Sequence, residues 1–149
     1  DLPPEEEAEF SGPARDAGVD IIRLVAPTTT DARIATLIEN ASGFVYYVSV
    51  RGITGTSSAA ASDIASNVAR IRKQTDLPIA VGFGIRTPEQ AAEVAKIADA
   101  AVVGTAIVEQ VAGALDADGT PTGDVVGNTL GYVSELAASV RIARNGNDQ

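Results

Sequence analysis

The sequence predicts an α/β fold built on a parallel sheet, and three observations predict it. Four short β-type runs are nearly continuous in apolar residues, the pattern of strands buried on both faces. One helical pattern lies in each interval between them, which is repeated β-α alternation. The 149 residues, 45% of them apolar, have the size and composition of one globular domain.

The elements follow in order. Glu5–Ala17 reads as a weak helix that Gly12-Pro13 should kink or split, because proline removes a donor and clashes with the preceding turn. Gly18 ends it, and Val19–Ala26 is the first strand. Asp31–Asn40 places Ile34, Leu37 and Ile38 on one helical face, and Phe44–Val50 is the second strand. Asp63–Thr75 places Ile64, Val68 and Ile71 inward and Arg70, Arg72 and Lys73 outward. Pro78–Phe83 is the third strand. Thr87, Pro88 and Gln90 then form a capping box with proline at the first helical position, opening a helix to Ile97. Asp99–Gly104 is the fourth strand, followed directly by a short helix, Ala106–Val111. A polar loop, Asp116–Asp124, leads to a last helix, Val126–Arg144, weakened by Gly127 and Gly131. Residues 145–149 read as a disordered tail after a domain of residues 1–144.

Two folds accept such units, the open doubly wound sheet and the closed eight-stranded barrel. A barrel needs about 250 residues, so four units are roughly half of one. No strand precedes the first helix, and the chain has no Met. Both suit a piece of a longer or trimmed protein, about half of a β/α barrel, better than a complete open sheet.

Composition excludes several chemistries. Eleven Lys plus Arg against 20 Asp plus Glu give a net charge of −9, which repels nucleic acid and anionic membrane surfaces. Without Cys there is no disulfide framework or thiolate metal site, and without His no imidazole catalyst or ligand. No metal site is expected. No apolar run reaches the ~20 residues of a membrane span, and no signal peptide opens the chain.

What remains is anion chemistry. The third strand runs into Gly82-Phe83-Gly84-Ile85, and the fourth into Gly104-Thr105-Ala106 and a helix. Glycine lets an oxyanion approach backbone N–H groups, and a helix N-terminus is electropositive. An acidic protein can hold a phosphate this way without Lys or Arg, with Thr105 adding a hydroxyl. Any one of these glycines alone reads better as a tight turn; the pair of loops, in this order, favours phosphate. Ser49–Ala61 is long, small and polar, and reads either as a mobile lid or as an insertion, the lid favoured by Gly52 and Gly55 bracketing Thr54. Tyr46 and Tyr47 must face opposite ways, so one lines the interior, with Phe83 or as ordinary core. The four strand ends offer no proton-transfer group, and the acids of Glu5–Glu9 read as a solvated surface. Asp1 alone could lie at a strand end.

In order, Asp1-Leu2-Pro3-Pro4-Glu5-Glu6, Ala26-Pro27-Thr28-Thr29-Thr30-Asp31, Tyr46-Tyr47-Val48-Ser49, Gly52-Ile53-Thr54-Gly55, Gly82-Phe83-Gly84-Ile85 and Val103-Gly104-Thr105-Ala106 resemble the C-terminal half of the tryptophan synthase alpha subunit. The resemblance runs from Asp1 to about Arg144. It implies strands five to eight of an eight-stranded TIM barrel, in a cytoplasmic lyase of tryptophan biosynthesis. That enzyme cleaves indole-3-glycerol phosphate to indole and glyceraldehyde 3-phosphate. It implies no cofactor in this subunit, pyridoxal phosphate in a partner beta subunit, and an alpha-beta-beta-alpha assembly that channels indole. By the same resemblance Thr54 is the lid threonine, and Gly55, Gly84, Gly104 and Thr105 bind the phosphate. Leu24, Tyr46 and Phe83 flank the indole, and Pro3 faces the beta subunit. Thr105 stands where serine is common. Val50 stands where some members carry arginine, with Arg51 adjacent. The family's catalytic glutamate and aspartate lie on earlier strands, so the chain alone is expected to be inactive. Two rivals stay open: another phosphate-binding barrel enzyme, such as a sugar-phosphate isomerase or epimerase, and a non-catalytic half-barrel module. The exposed edges of a cut barrel also invite self-association.

Overall fold

The computed structural model describes residues 2–49, 58–82 and 84–146. A 3-10 turn, Pro4–Glu6, precedes helix α1, Ala8–Asp16. Then come strand β1 (Arg23–Val25), α2 (Asp31–Ile38), β2 (Val45–Val48), α3 (Ser58–Arg72), β3 (Ile79–Gly82), α4 (Pro88–Ala95), β4 (Ala100–Val102), α5 (Thr105–Gly113) and α6 (Val125–Asn145). The four strands form one parallel sheet in the order β1-β2-β3-β4, so each strand lies beside its neighbour in sequence.

Alternation along the strands sorts the side chains. Val25, Val45, Tyr47, Ile79 and Val81 turn toward the helices and are buried there against Ile34, Ile64, Val68, Ile71 and Val94. Each such side chain contributes about 1.5–3 kcal/mol on leaving water. The three inward positions expected of α3, Ile64, Val68 and Ile71, are all in this core. The capping box is present as read: Thr87 Oγ1 accepts from Gln90 N, and the Gln90 side chain accepts from Thr87 N. Leu136 of α6 joins the core, and that helix packs chiefly on α4 and then on α5.

Several expectations need correction. Among the described strands only β3 is buried on both faces; β1 alternates buried, exposed, buried, because its inner face lies open. Residues 19–22 lie outside β1. They are held instead by the 41–43 turn, where Ile21 N–H donates to Ser42 Oγ at 2.8 Å and Ser42 N–H to Ile21 O at 3.0 Å. Pro13 does not split α1, because Ser11 N–H still reaches Glu7 O and Ala17 N–H reaches Pro13 O around it. The break falls at Glu7, between the 3-10 turn and the helix. Gly18 does end the helix, at φ +71°, where an L side chain would be strained.

Residues 58–61, read as loop, belong to α3, and Asn145, read as tail, closes α6. The stretch 50–57 and residues 147–149 lie outside the described residues. The acidic run is not all solvated. Glu7 is buried and ion-paired with Arg23, which sits at a helix-facing strand position where a bare guanidinium could not be left. Burial pulls the Arg23 guanidinium below its ordinary pKa.

Candidate functional site

The candidate site lies on the inner face of the sheet and at the carboxyl ends of its strands. Leu24, Tyr46, Ala80 and Ala100 stand in one register row across the inner face. Tyr46 is half-buried there, while Tyr47 points into the helix-side core, where desolvation pushes its hydroxyl pKa up. The two tyrosines thus divide as alternation requires. Tyr46 also reaches over the neighbouring strand. A Cβ on Gly82 would lie 2.7 Å from its hydroxyl and 2.8 Å from Val102 Cβ. Gly82 is therefore a close-approach glycine that leaves room for the Tyr46 ring above it. Leu24 and Tyr46 are register partners on adjacent strands; Phe83 lies outside the described residues, as do Thr54 and Gly55.

Beyond β3 the backbone turns at Gly84 with φ +72°. The turn is fastened from three sides. Gln90 Oε1 accepts from Arg86 N–H at 2.7 Å and from Thr87 N–H at 3.3 Å. The Tyr132 hydroxyl of α6 donates to Arg86 O at 2.5 Å. The Arg86 guanidinium makes a two-pronged ion pair with Glu109 of α5, one prong at 3.0 Å. Hydrogen bonding to Glu109 raises the Arg86 pKa, and the reciprocal bond holds the Glu109 carboxyl below its usual range.

Beyond β4, Gly104 is the N-cap of α5. Its carbonyl accepts from Ile107 N–H at 2.9 Å and Val108 N–H at 3.2 Å. The amides of Thr105 and Ala106 precede any helical partner, as the first N–H groups of every helix do. Thr105 is exposed, and space around the Cβ position of Gly104 is open to 4 Å. Gly84, Gly104 and Thr105 therefore sit at the same end of adjacent strands, as the sequence predicts.

Pro3 is exposed on the rim of a groove of about 650 Å3 between the amino-terminal segment and β1, where Arg23 donates to Leu2 O at 3.1 Å. Among the described residues no group of three His, Cys, Asp or Glu could hold a metal ion. None of their helices is long and apolar enough to cross a membrane. Sequence reading missed Arg86, Glu109 and Tyr132. Arg86 follows the glycine turn directly, but its partners are 23 and 46 residues away, and no local pattern marks them.

A family model described as tryptophan synthase alpha chain matches residues 1–131. This chain belongs to that family. The tryptophan synthase alpha chain of Gluconacetobacter diazotrophicus is 51% identical over 144 residues, covering 97% of this chain and 53% of the relative. That of Acidiphilium cryptum is 54% identical over 141 residues, covering 95% and 51%. Among solved structures, tryptophan synthase subunit alpha from Legionella pneumophila aligns with TM-score 0.78 and 31% identity over 95% of this chain and 50% of that one. Tryptophan synthase from Mycobacterium tuberculosis aligns with TM-score 0.75 and 35% identity over 95% and 49%. The chain thus spans about half the length of the tryptophan synthase alpha chains it matches. Its parallel four-stranded sheet with helices is a half barrel, the C-terminal half of the family's fold. The isomerase and epimerase alternative gives way to this family, which is one of lyases.

Proposed function

We propose that this chain provides the phosphate grip and the indole-facing wall of a tryptophan synthase alpha subunit. That subunit cleaves the C–C bond of indole-3-glycerol phosphate, releasing indole and glyceraldehyde 3-phosphate. One observation carries the reading: the left-handed turn at Gly84 and the Gly104–Thr105 start of α5 lie together at the carboxyl ends of β3 and β4. Main-chain amides and the positive end of α5 suit a phosphate dianion without adding a cation to an acidic protein. The Thr105 hydroxyl is a further donor. Gly55 belongs to the same grip, and Thr54 to a lid over the reacting carbon.

The indole ring lies against Leu24, Tyr46 and Phe83, with the glycerol phosphate extending toward Gly84 and Gly104. Tyr46, above Gly82, gives the ring an aromatic neighbour. Pro3 faces a beta subunit in an alpha-beta-beta-alpha assembly; pyridoxal phosphate belongs to that partner, and this subunit carries no cofactor. The assembly is cytoplasmic.

Proton transfer needs a carboxylate, His or Lys near the reacting atoms. The strand ends among the described residues present Ala26, Ser49, Gly84 and Gly104. The chain therefore binds and orients but does not turn over by itself. Two measurements test this. Titration with glycerol 3-phosphate should shift the amide resonances of Gly84, Gly104 and Thr105; silence at all three removes the phosphate assignment. Incubation with indole-3-glycerol phosphate should release no indole, and measurable release overturns the division of labour.

A further inference from the structure

The proposed phosphate grip has two halves on different elements, and its geometry depends on their separation. Gly84 is in the turn after β3, whereas Gly104 and Thr105 begin α5. β3 and β4 are hydrogen-bonded neighbours only as far as Gly82 and Val102. Past that register no sheet pairing among the described residues fixes the two turns relative to each other. The side chains do. Arg86 stands two residues beyond Gly84, and Glu109 stands on α5 one turn beyond Thr105. Their two-pronged pair ties turn to helix directly. The Tyr132 hydroxyl ties the Arg86 carbonyl to α6, which itself packs on both α4 and α5.

Gln90 adds a second constraint. Its side-chain oxygen already accepts the N–H groups of Arg86 and Thr87. Those two amides are committed to the capping box of α4. Among the described residues of this turn, that leaves the amides of Gly84 and Ile85 for an anion. The network thus decides both which amides are left for the anion and how far they stand from the α5 amides.

We propose that Arg86, Glu109 and Tyr132 are positioning residues that hold the two anion-binding turns at the spacing of one phosphate group. The inference rests on the phosphate reading of Gly84, Gly104 and Thr105. The Arg86–Glu109 pair is half exposed on both sides, and such pairs add little to global stability. Its effect is local: it pre-organises the site, so ligand binding does not have to order the turn. The Arg86 guanidinium is occupied by Glu109 and acts as a brace, not as a direct phosphate ligand.

The test is glycerol 3-phosphate binding to the 149-residue chain, read from the amide shifts of Gly84, Gly104 and Thr105, with thermal melts alongside. Tyr132→Phe and Glu109→Gln should each weaken binding about three- to tenfold, the loss expected when a pre-formed site becomes a flexible one. Melting temperatures should stay close to the wild type. Arg86→Glu should weaken binding, and Arg86→Glu combined with Glu109→Arg should restore it, since the reversed pair can brace the same two elements. A direct phosphate role for Arg86 predicts no rescue by the reversed pair, and that result overturns the proposal. So does unchanged affinity in Tyr132→Phe and Glu109→Gln while the wild type binds; this outcome leaves the phosphate reading standing. If the wild-type amides themselves do not move, both fall together.

Discussion

Replacing Gly82 by alanine tests the packing of the inner face most directly. The new Cβ would lie 2.7 Å from Tyr46 Oη, 2.9 Å from Tyr46 Cε2 and 2.8 Å from Val102 Cβ. All three are closer than carbon atoms tolerate. The tyrosine can swing away, but Val102 Cβ is fixed to the backbone of β4, hydrogen-bonded to β3 at that very position. The strands must therefore part or the ring must leave its place. Overpacking of this kind costs about 1–3 kcal/mol, or roughly 3–10 °C in melting temperature for a chain of this length. Urea unfolding followed by far-UV circular dichroism measures it. Tyr46→Phe in the Gly82→Ala background should recover little, because Cε2 and Val102 remain. Gly131→Ala is the control: it is exposed within α6, with nothing within 4 Å of the Cβ position. That change should stabilise by about 0.5–1 kcal/mol through the lower entropy of the unfolded chain. A Gly82→Ala protein within about 0.5 kcal/mol of wild type refutes the close-approach argument.

Three other outcomes follow from contacts elsewhere. Glu7→Gln should cost about 3–5 kcal/mol by urea unfolding, because the buried Arg23 guanidinium loses its counter-charge. Asp99→Ala should cost about 1–3 kcal/mol, since the carboxylate accepts the buried Ile79 N–H at 2.8 Å and Arg72 at 2.9 Å. Burial alone would raise the Asp99 pKa, but the Ile79 and Arg72 hydrogen bonds and the charges of Arg72 and Arg144 hold it below the ordinary 3.8. Its contribution is thus complete above about pH 3.8 and declines as pH falls through the lowered value, so the gap between wild type and Asp99→Asn should close in acid. The free edges of β1 and β4 and exposed Leu24, Val108 and Leu130 should make the chain self-associate; a clean monomer across a concentration series in sizing chromatography counts against this.

The sheet was legible because its strands face a helix layer. Val25, Val45, Tyr47, Ile79 and Val81 are apolar for that reason, and apolar runs are a local signal. Helix boundaries with a chemical marker were also legible: the capping box at Thr87 and the stop at Gly18 stand where they were read. What escaped was set by distant partners. Continuous apolar runs suggested burial on both faces, yet the inner face of β1 meets little, and Leu24 remains 38% exposed. Glu7 looked like one of several surface acids until Arg23, 16 residues later, was placed beneath it. The glycines of the candidate site were visible in the sequence, whereas Arg86, Glu109 and Tyr132 meet only through the fold. Pro13 inside α1 shows the reverse case, a strong local breaker tolerated because the turns on either side keep their hydrogen bonds.

The order β1-β2-β3-β4 has a consequence for how the chain is made. Each new strand of this sheet docks on the one synthesised just before it, and none has to insert between two strands made earlier. Every pairing closes a loop of one helix, the least separation a parallel sheet allows. The sheet can therefore grow by stepwise addition as the polypeptide emerges, each completed β-α unit serving as the template for the next.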